Sequence, residues 1–332
     1  MRHHFISVYR RSTPPEFCNL FISYVLQDSN TIVDPQPPPD TAHAVTLYLP
    51  SPDAPDRQKA AITFTYPGTS IKEQASGLYA RKLAENGFVT LAYDAAFQGE
   101  SGGEPRYLED PYQQVEDVKS AVTFLSTLDG EVDPERIGVV GICSGGGYAV
   151  FASQTDVRMK AVATVGGVCL DAMHRNSLRD ESGNIDPETL HQRLSFAAQE
   201  RIKEAKGEKP TAFSTLDVFE AAKEYYATPR GYHPKCNNLQ LVRSFEKLST
   251  FDACAFIDWI APRPLLMIMG SLADTGKGGP GDTGCYSKKA IENAKEPKEL
   301  FVIEGKEHLD LYSDTEESVP KLADFMAKAL CT

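Results

Sequence analysis

The chain has 332 residues, of which 41% are hydrophobic, 9% aromatic and 24% charged. This composition can fill a sizeable core and excludes a disordered tail or a collagen-like fibre. Its 34 basic and 46 acidic residues leave a formal net charge of −12, a field that repels phosphate backbones and anionic lipid, so no nucleic acid and no membrane surface is expected as a partner. The longest apolar runs, residues 137–143 and 264–270, are far shorter than the roughly 20 residues of a bilayer-spanning helix.

From the amino terminus, Arg2, His3, His4, Arg10 and Arg11 interrupt any apolar run, so the pattern of a secretory leader is missing and a cytoplasmic protein is expected. Seven cysteines (Cys18, Cys143, Cys169, Cys236, Cys254, Cys285, Cys331) are odd in number and scattered, with no C-x-x-C pair. That usage fits a reduced compartment and leaves room for one special thiol. Residues 1–40 read as an N-terminal extension ending in a proline-rich stretch at 34–40, and residues 51–56 and 273–284 read as loops.

Short β-branched runs then alternate with helical periodicity. Strands are predicted at 43–49, 60–66, 88–94, 136–143, 161–168, 264–270 and 299–304, and helices at 71–86, 115–128, 145–153, 286–294 and 316–330. Several strands are apolar on both faces, as in a buried parallel sheet. The alternation implies an α/β sandwich with right-handed crossovers. Residues 170–261 break the rhythm: they look helical and polar-aromatic, with Phe196, Phe213, Phe219, Tyr225, Tyr226 and Tyr232. They are expected to form a helical cap over the carboxyl edge of the sheet, where open α/β folds bind ligands. The core is then 41–169 with 262–332.

The most informative stretch runs from Arg136 to Gly147, where a β-run meets Gly141-Ile142-Cys143-Ser144-Gly145-Gly146-Gly147 and then a helix. A nucleophile elbow is a sharp, strained turn that needs small residues two before and two after the nucleophile. With Cys143 the flanks are Gly141 and Gly145; with Ser144 they would be Ile142 and Gly146, and Ile142 would clash. Cys143 is therefore the nucleophile, and the Ser144 backbone N–H is offered to an oxyanion. The chain order nucleophile, acid, histidine then selects His308, directly after the last strand, as the base. Asp274, just beyond strand 264–270, is taken as the orienting acid ahead of Asp282, Glu304 and Asp310. The second oxyanion donor would come from Gly68 or Thr69, after strand 60–66. Gly276-Lys277-Gly278-Gly279 lacks phosphate-loop spacing, no G-x-G-x-x-G follows a strand and no metal-ligand spacing occurs. No cofactor and no metal are implied.

Several motifs go further: Pro67-Gly68 with Lys72-Glu73-Gln74, Gly77-Leu78-Tyr79-Ala80, Leu91-Ala92-Tyr93-Asp94, Gln98-Gly99-Glu100-Ser101-Gly102-Gly103-Glu104-Pro105-Arg106, the Gly-Ile-Cys elbow, Tyr225-Tyr226, Arg263-Pro264-Leu265-Leu266 and His308-Leu309-Asp310-Leu311-Tyr312. Together, over roughly residues 45 to 325, they resemble a branch of the α/β-hydrolase superfamily whose fungal members serve polyketide synthases as thiohydrolases and acyl transferases. The elbow also resembles that of the dienelactone hydrolases. The resemblance implies an α/β-hydrolase fold, a mostly parallel sheet flanked by helices, and a Cys143, Asp274, His308 triad. It implies a polyketide acyl substrate delivered by an acyl carrier protein domain, with Tyr66, Tyr225 and Tyr226 as substrate contacts. The expected reaction is offloading of a carrier-bound acyl chain through Cys143, onto an intramolecular hydroxyl to close a lactone or onto water. A dienelactone-hydrolase-like esterase or lactonase and a non-catalytic binding relative are the alternatives.

Overall fold

The computed structural model describes residues 3–10, 20–23, 43–180, 182–274 and 282–332, the first two segments as backbone alone. The proline-rich stretch 34–40, Cys18 and most of the glycine-rich loop 273–284 lie outside them.

In chain order the first part of the core comprises β1 (His3–Arg10), β2 (Leu20–Ser23), β3 (His43–Tyr48), β4 (Ala61–Thr65), α1 (Ala75–Glu85), β5 (Val89–Tyr93), α2 (Pro111–Ser126), β6 (Ile137–Ile142), α3 (Ser144–Thr155) and β7 (Met159–Val165). The insertion follows with α4 (Leu170–Asn176), α5 (Pro187–Ala205), β8 (Ala212–Ser214), α6 (Thr215–Val218), α7 (Lys223–Tyr226), β9 (Leu239–Leu241) and α8 (Ser244–Leu248). The chain then returns to the core through β10 (Leu265–Gly270), α9 (Gly284–Asn293), β11 (Lys298–Ile303) and α10 (Ser318–Leu330).

Nine strands form one sheet in the order β11-β10-β7-β6-β4-β5-β3-β1-β2. Neighbours from β11 to β5 run parallel, and β3, β1 and β2 are added antiparallel. Every residue of β4, β5, β6 and β10 is buried, because helices cover both faces and leave no solvent side for polar residues. One apolar layer packs α2 and α3 on one face, with Val118, Phe124, Leu125 and Tyr148. The other packs α1 and α10 on the opposite face, with Tyr79, Leu83, Leu322 and Met326.

From β3 on, the observed core strands sit within a few residues of the expected ones; β1 and β2, which fall in the stretch read as an N-terminal extension, instead extend the sheet beyond β3. The largest shift is β7, which starts at Met159 and stops at Val165, because Gly166 turns the chain with φ +56°. α1 starts at Ala75 rather than at 71 because the backbone just before it is tied elsewhere: Ile71 N–H donates to Gln74 Oε1 (3.1 Å) and Lys72 N–H to Asp94 Oδ1 (2.7 Å). α2 starts earlier than expected, at Pro111, where Asp110 caps it by accepting from Tyr112 N–H.

The insertion is mainly helical as read, with one addition: β8 and β9 pair antiparallel in a two-stranded ribbon. It rests on the loops at the carboxyl ends of the parallel strands. Thr215 Oγ1 lies 2.9 Å from Thr69 Oγ1, Gln74 Nε2 donates to Gly231 O (2.6 Å), and Leu241 N–H donates to Tyr107 O (2.8 Å). Arg230 donates to Leu309 O (2.8 Å) and Asp310 Oδ1 (3.1 Å) beyond β11. No helix among the described residues is long and apolar enough to cross a membrane.

Candidate active site

β6 delivers Cys143 at its carboxyl end with φ 55° and ψ −124°, a left-handed conformation that costs an L-residue of order 1–3 kcal/mol and is kept where the surroundings enforce it. The enforcement is visible in the flanking glycines. A Cβ on Gly141 would lie 2.4 Å from Gly145 O, and one on Gly145 would lie 2.4 Å from Thr65 Oγ1 and 2.8 Å from Tyr66 O. Ile142 is fully buried in the sheet, so the register that places Cys143 rather than Ser144 at the apex is also the register of the fold. Cys143 N–H donates to Val165 O (3.1 Å), and its carbonyl accepts from Gly146 and Val168 (both 2.9 Å).

The polar groups beside the thiol are the backbone N–H groups of Ser144 and Gly68 and the phenol of Tyr312. Burial pushes the thiol above its ordinary value, and these donors pull it part of the way back. Thr69, the other expected oxyanion donor, does a different job. It sits at φ 60°, its hydroxyl meets Thr215 Oγ1 and its carbonyl accepts from Cys236 Sγ (3.3 Å), so it joins the loop to the cap. That loop is braced by Lys72, whose buried ammonium reaches Asp94 (3.0 Å), Glu73 (2.8 Å) and Glu100 (2.6 Å). Burial alone would lower the lysine pKa; the carboxylates of Asp94, Glu100 and Glu73 outweigh it and hold it above the ordinary value.

His308 follows β11 and is buried. Room for its ring comes from Gly166, where a Cβ would lie 3.1 Å from His308 Nδ1. Nδ1 lies 2.9 Å from Thr283 Oγ1 and Nε2 lies 3.0 Å from Tyr312 Oη. Burial pushes the imidazole down to about 4, so at neutral pH the ring is uncharged and able to accept a proton.

The acid departs from expectation. The Asp274 carboxylate pairs with Lys288 Nζ on α9, and Thr283, at the start of that helix, supplies the hydroxyl on Nδ1. The short turn 271–273 after β10 sets Asp274 facing α9, against Gly284, where a Cβ would lie 2.7 Å from Asp274 Cβ. Thr283 and Tyr312 were not singled out in sequence; the one signal was that Tyr312 stands four residues after His308 in a turn, the spacing that lets two side chains meet.

Of the three tyrosines expected at the substrate, Tyr66 is spent on the core: it is 4% exposed and its hydroxyl accepts from Ala95 N–H (2.7 Å). Tyr225 and Tyr226 pack edge to face with each other (4.9 Å) and against Tyr312 (5.1 and 6.4 Å between ring centres). Elsewhere in the cap, His174, Arg193, Phe196, Phe213, Gln240 and Phe245 line a cavity of about 350 Å³. At the cap's junction with the core, Cys169 and Cys254 stand 3.3 Å apart as free thiols.

The Dienelactone hydrolase family model matches residues 46–185. Uncharacterized protein YcjY of Escherichia coli is 34% identical over 88% of this chain and 96% of its own length. Uncharacterized protein PA2218 of Pseudomonas aeruginosa is 38% identical over 86% of this chain and 77% of its own; its crystal structure superposes with a TM-score of 0.80, covering 99% of this chain and 94% of that one. Polyketide transferase grgF of Penicillium is 28% identical over 75% of this chain and 81% of its own. The fold and the relatives agree: the chain belongs to one family with YcjY and PA2218, carries a Dienelactone hydrolase match over residues 46–185, and is an α/β-hydrolase-fold enzyme of the hydrolase and acyltransferase type.

Proposed function

We propose that this enzyme takes an acyl group from a thioester onto Cys143 and passes it to a hydroxyl of the same chain or to water. One observation carries the reading: Cys143 stands at positive φ in a glycine-flanked elbow tied to Val165 O (3.1 Å), and the buried His308 ring packs on the next residue, Gly166. Thiolate attack on a thioester carbonyl forms one C–S bond and breaks another at little thermodynamic cost, and the acyl-enzyme stays activated for the acceptor. The N–H groups of Ser144 and Gly68 meet the oxyanion of each tetrahedral intermediate. His308 takes the thiol proton, returns one to the leaving sulfur, and then deprotonates the acceptor. Thr283 holds its Nδ1; Asp274 would take that place only by releasing Lys288.

The substrate proposed is a hydroxyacyl chain of polyketide type on an acyl carrier protein domain. It is supported by the similarity to a polyketide transferase. A cap that excludes water favours the chain's own hydroxyl, because proximity replaces a bimolecular encounter and contributes up to roughly 7–11 kcal/mol. Lactone closure is therefore preferred to hydrolysis.

The test is intact-protein mass spectrometry with product analysis, on wild type and Cys143→Ala mixed with hydroxyacyl thioesters of several lengths. An acyl mass or turnover that the variant lacks, with lactone released, is expected; free acid alone would overturn the lactone step. No adduct and no thioester turnover would overturn the reading in favour of a simple lactonase or esterase, which the family match over residues 46–185 supports.

A further inference from the structure

We propose that Cys169 and Cys254 form an oxidative modification site: a peroxide converts the two thiols to a disulfide that joins the entry of the cap insertion to its exit, and a small dithiol reopens it. The inference is independent of the reading of Cys143 as nucleophile.

Cys169 stands at the step from the core into α4, and Cys254 lies near the end of the insertion, between α8 and β10. They are 85 residues apart in sequence, yet their sulfurs are 3.3 Å apart and both thiols are free. A disulfide needs about 2.0 Å between its sulfurs, so the two side chains have little left to close. Packing holds the backbone on both sides. Val168 N–H donates to Cys143 O (2.9 Å), just before Cys169, and Met173 N–H donates to Cys169 O (3.0 Å). Across from them, Gln154 Nε2 donates to Ala253 O (2.8 Å), Cys254 N–H donates to Asp252 Oδ1 (3.1 Å), and the buried Phe251 meets Phe151 at 4.6 Å between ring centres. Gly147 lets the two segments meet over the first turn of α3: a Cβ there would lie 2.8 Å from Val168 O and 3.2 Å from Ala253 Cβ. The other described thiols outside the elbow, Cys236, Cys285 and Cys331, meet backbone carbonyls instead.

The oxidation balances with hydrogen peroxide. One sulfur, as thiolate, attacks a peroxide oxygen: an S–O bond forms, the O–O bond breaks, and the departing hydroxide leaves as water with the thiol proton. The second sulfur then attacks the sulfenic sulfur; the S–S bond forms, the S–O bond breaks, and a second water carries off the second thiol proton. The two sulfurs together lose two electrons and the peroxide gains them. The neighbouring sulfur first, and burial second, hold the Cys169 thiol above its ordinary value. Thiolate is therefore scarce near neutral pH, which makes the pair a slow clasp and not a fast sensor. Beside the sulfurs lies a cavity of about 10 Å³, room for about one molecule of water size, which suits a peroxide better than a bulky disulfide. Once formed, the bond removes the freedom of a long loop from the unfolded chain and fixes the base of the cap in the folded one.

The experiment treats the full chain, as wild type, Cys169→Ser and Cys254→Ser, with hydrogen peroxide at about pH 8, where thiolate is more abundant, and blocks the remaining thiols with N-ethylmaleimide. Peptide masses and urea midpoints are read before and after dithiothreitol. In wild type the expected product is a pair of peptides joined through Cys169 and Cys254 and lighter by two hydrogens than the reduced peptides. With it the urea midpoint should rise by roughly 1 M, as closing a loop of this length predicts, and dithiothreitol should reverse both changes. Each serine variant should lack the joined peptides and the rise. Recovery of the two residues as free thiols or as separate sulfinic acids, or a bond from either to a different cysteine, would overturn the pairing. The expected bond with an unmoved or lowered midpoint would overturn the clasp. The wild-type peptide map decides the pairing even where a serine variant fails to fold.

Discussion

The elbow at Cys143 and the loop around His308 both follow the carboxyl ends of parallel strands of one sheet, β6 and β11, yet they obey different constraints. At the elbow the constrained residues themselves are local. Gly141, Cys143 and Gly145 are close in sequence, and the backbone contacts that require glycine are made within five residues and with the adjacent β4. Around His308 the partners come from far along the chain: Thr283 is 25 residues away and Gly166 lies beyond β7. A local constraint leaves a mark in a motif, and a constraint assembled from several loops does not.

Each side of this contrast can be broken separately. The largest effect is expected at the elbow. Gly145→Ala sets a Cβ against backbone and side chain at 2.4–2.8 Å, and overpacking of this kind costs about 3 kcal/mol; a fall in the urea midpoint together with loss of Cys143 alkylation would show it, and unchanged values would mean the elbow yields where the packing says it cannot. On the histidine side, Thr283→Val removes the partner of Nδ1. Leaving a buried polar group unpaired costs about 1–3 kcal/mol, so acylation should slow by about 10- to 100-fold. Asp274→Asn, which changes a carboxylate paired with Lys288, should slow it less than about threefold. The reverse ranking would restore Asp274 as the orienting acid.

The pH response sharpens the contrast further. Burial holds both His308, in the core, and His174, in the cap, down to about 4, against an ordinary value near 6.5 in the unfolded chain. The unfolded state therefore binds more protons between those values, and the stability these two neutral rings contribute is full above pH 6.5 and is lost as pH falls towards 4. Thermal melts across that window should show the fall, and His174→Gln should reduce it while leaving the acid limb of acylation, set by His308, near pH 4. An acid limb near 6.5 would mean that His308 is solvated in the working enzyme. The smallest effect is expected from Lys235→Ala: the pair it makes with Glu100 at 2.5 Å joins cap to core but is exposed, so the stability change should stay below about 1 kcal/mol, read from the same melts.

The core strands were legible in the sequence because a buried parallel strand must be apolar on both faces, as β4, β5, β6 and β10 are. The ribbon β8–β9 was not, since its three-residue strands carry no periodicity above that of their surroundings. Tyr66 was misread for a related reason: an aromatic residue at the end of a strand looks the same whether its hydroxyl meets a ligand or, as here, accepts from Ala95 N–H.

The sequence by itself determined the strands from β3 to β7 with β10 and β11, and the glycine-flanked turn that holds Cys143 after β6, because burial patterns and the steric needs of the turn are written in neighbouring residues. Only the tertiary structure decided what surrounds His308. Thr283 on one nitrogen, Tyr312 on the other and Asp274 turned to Lys288 depend on where separate loops end, and hydrogen bonds within 3 Å are set by that packing, which no local pattern encodes.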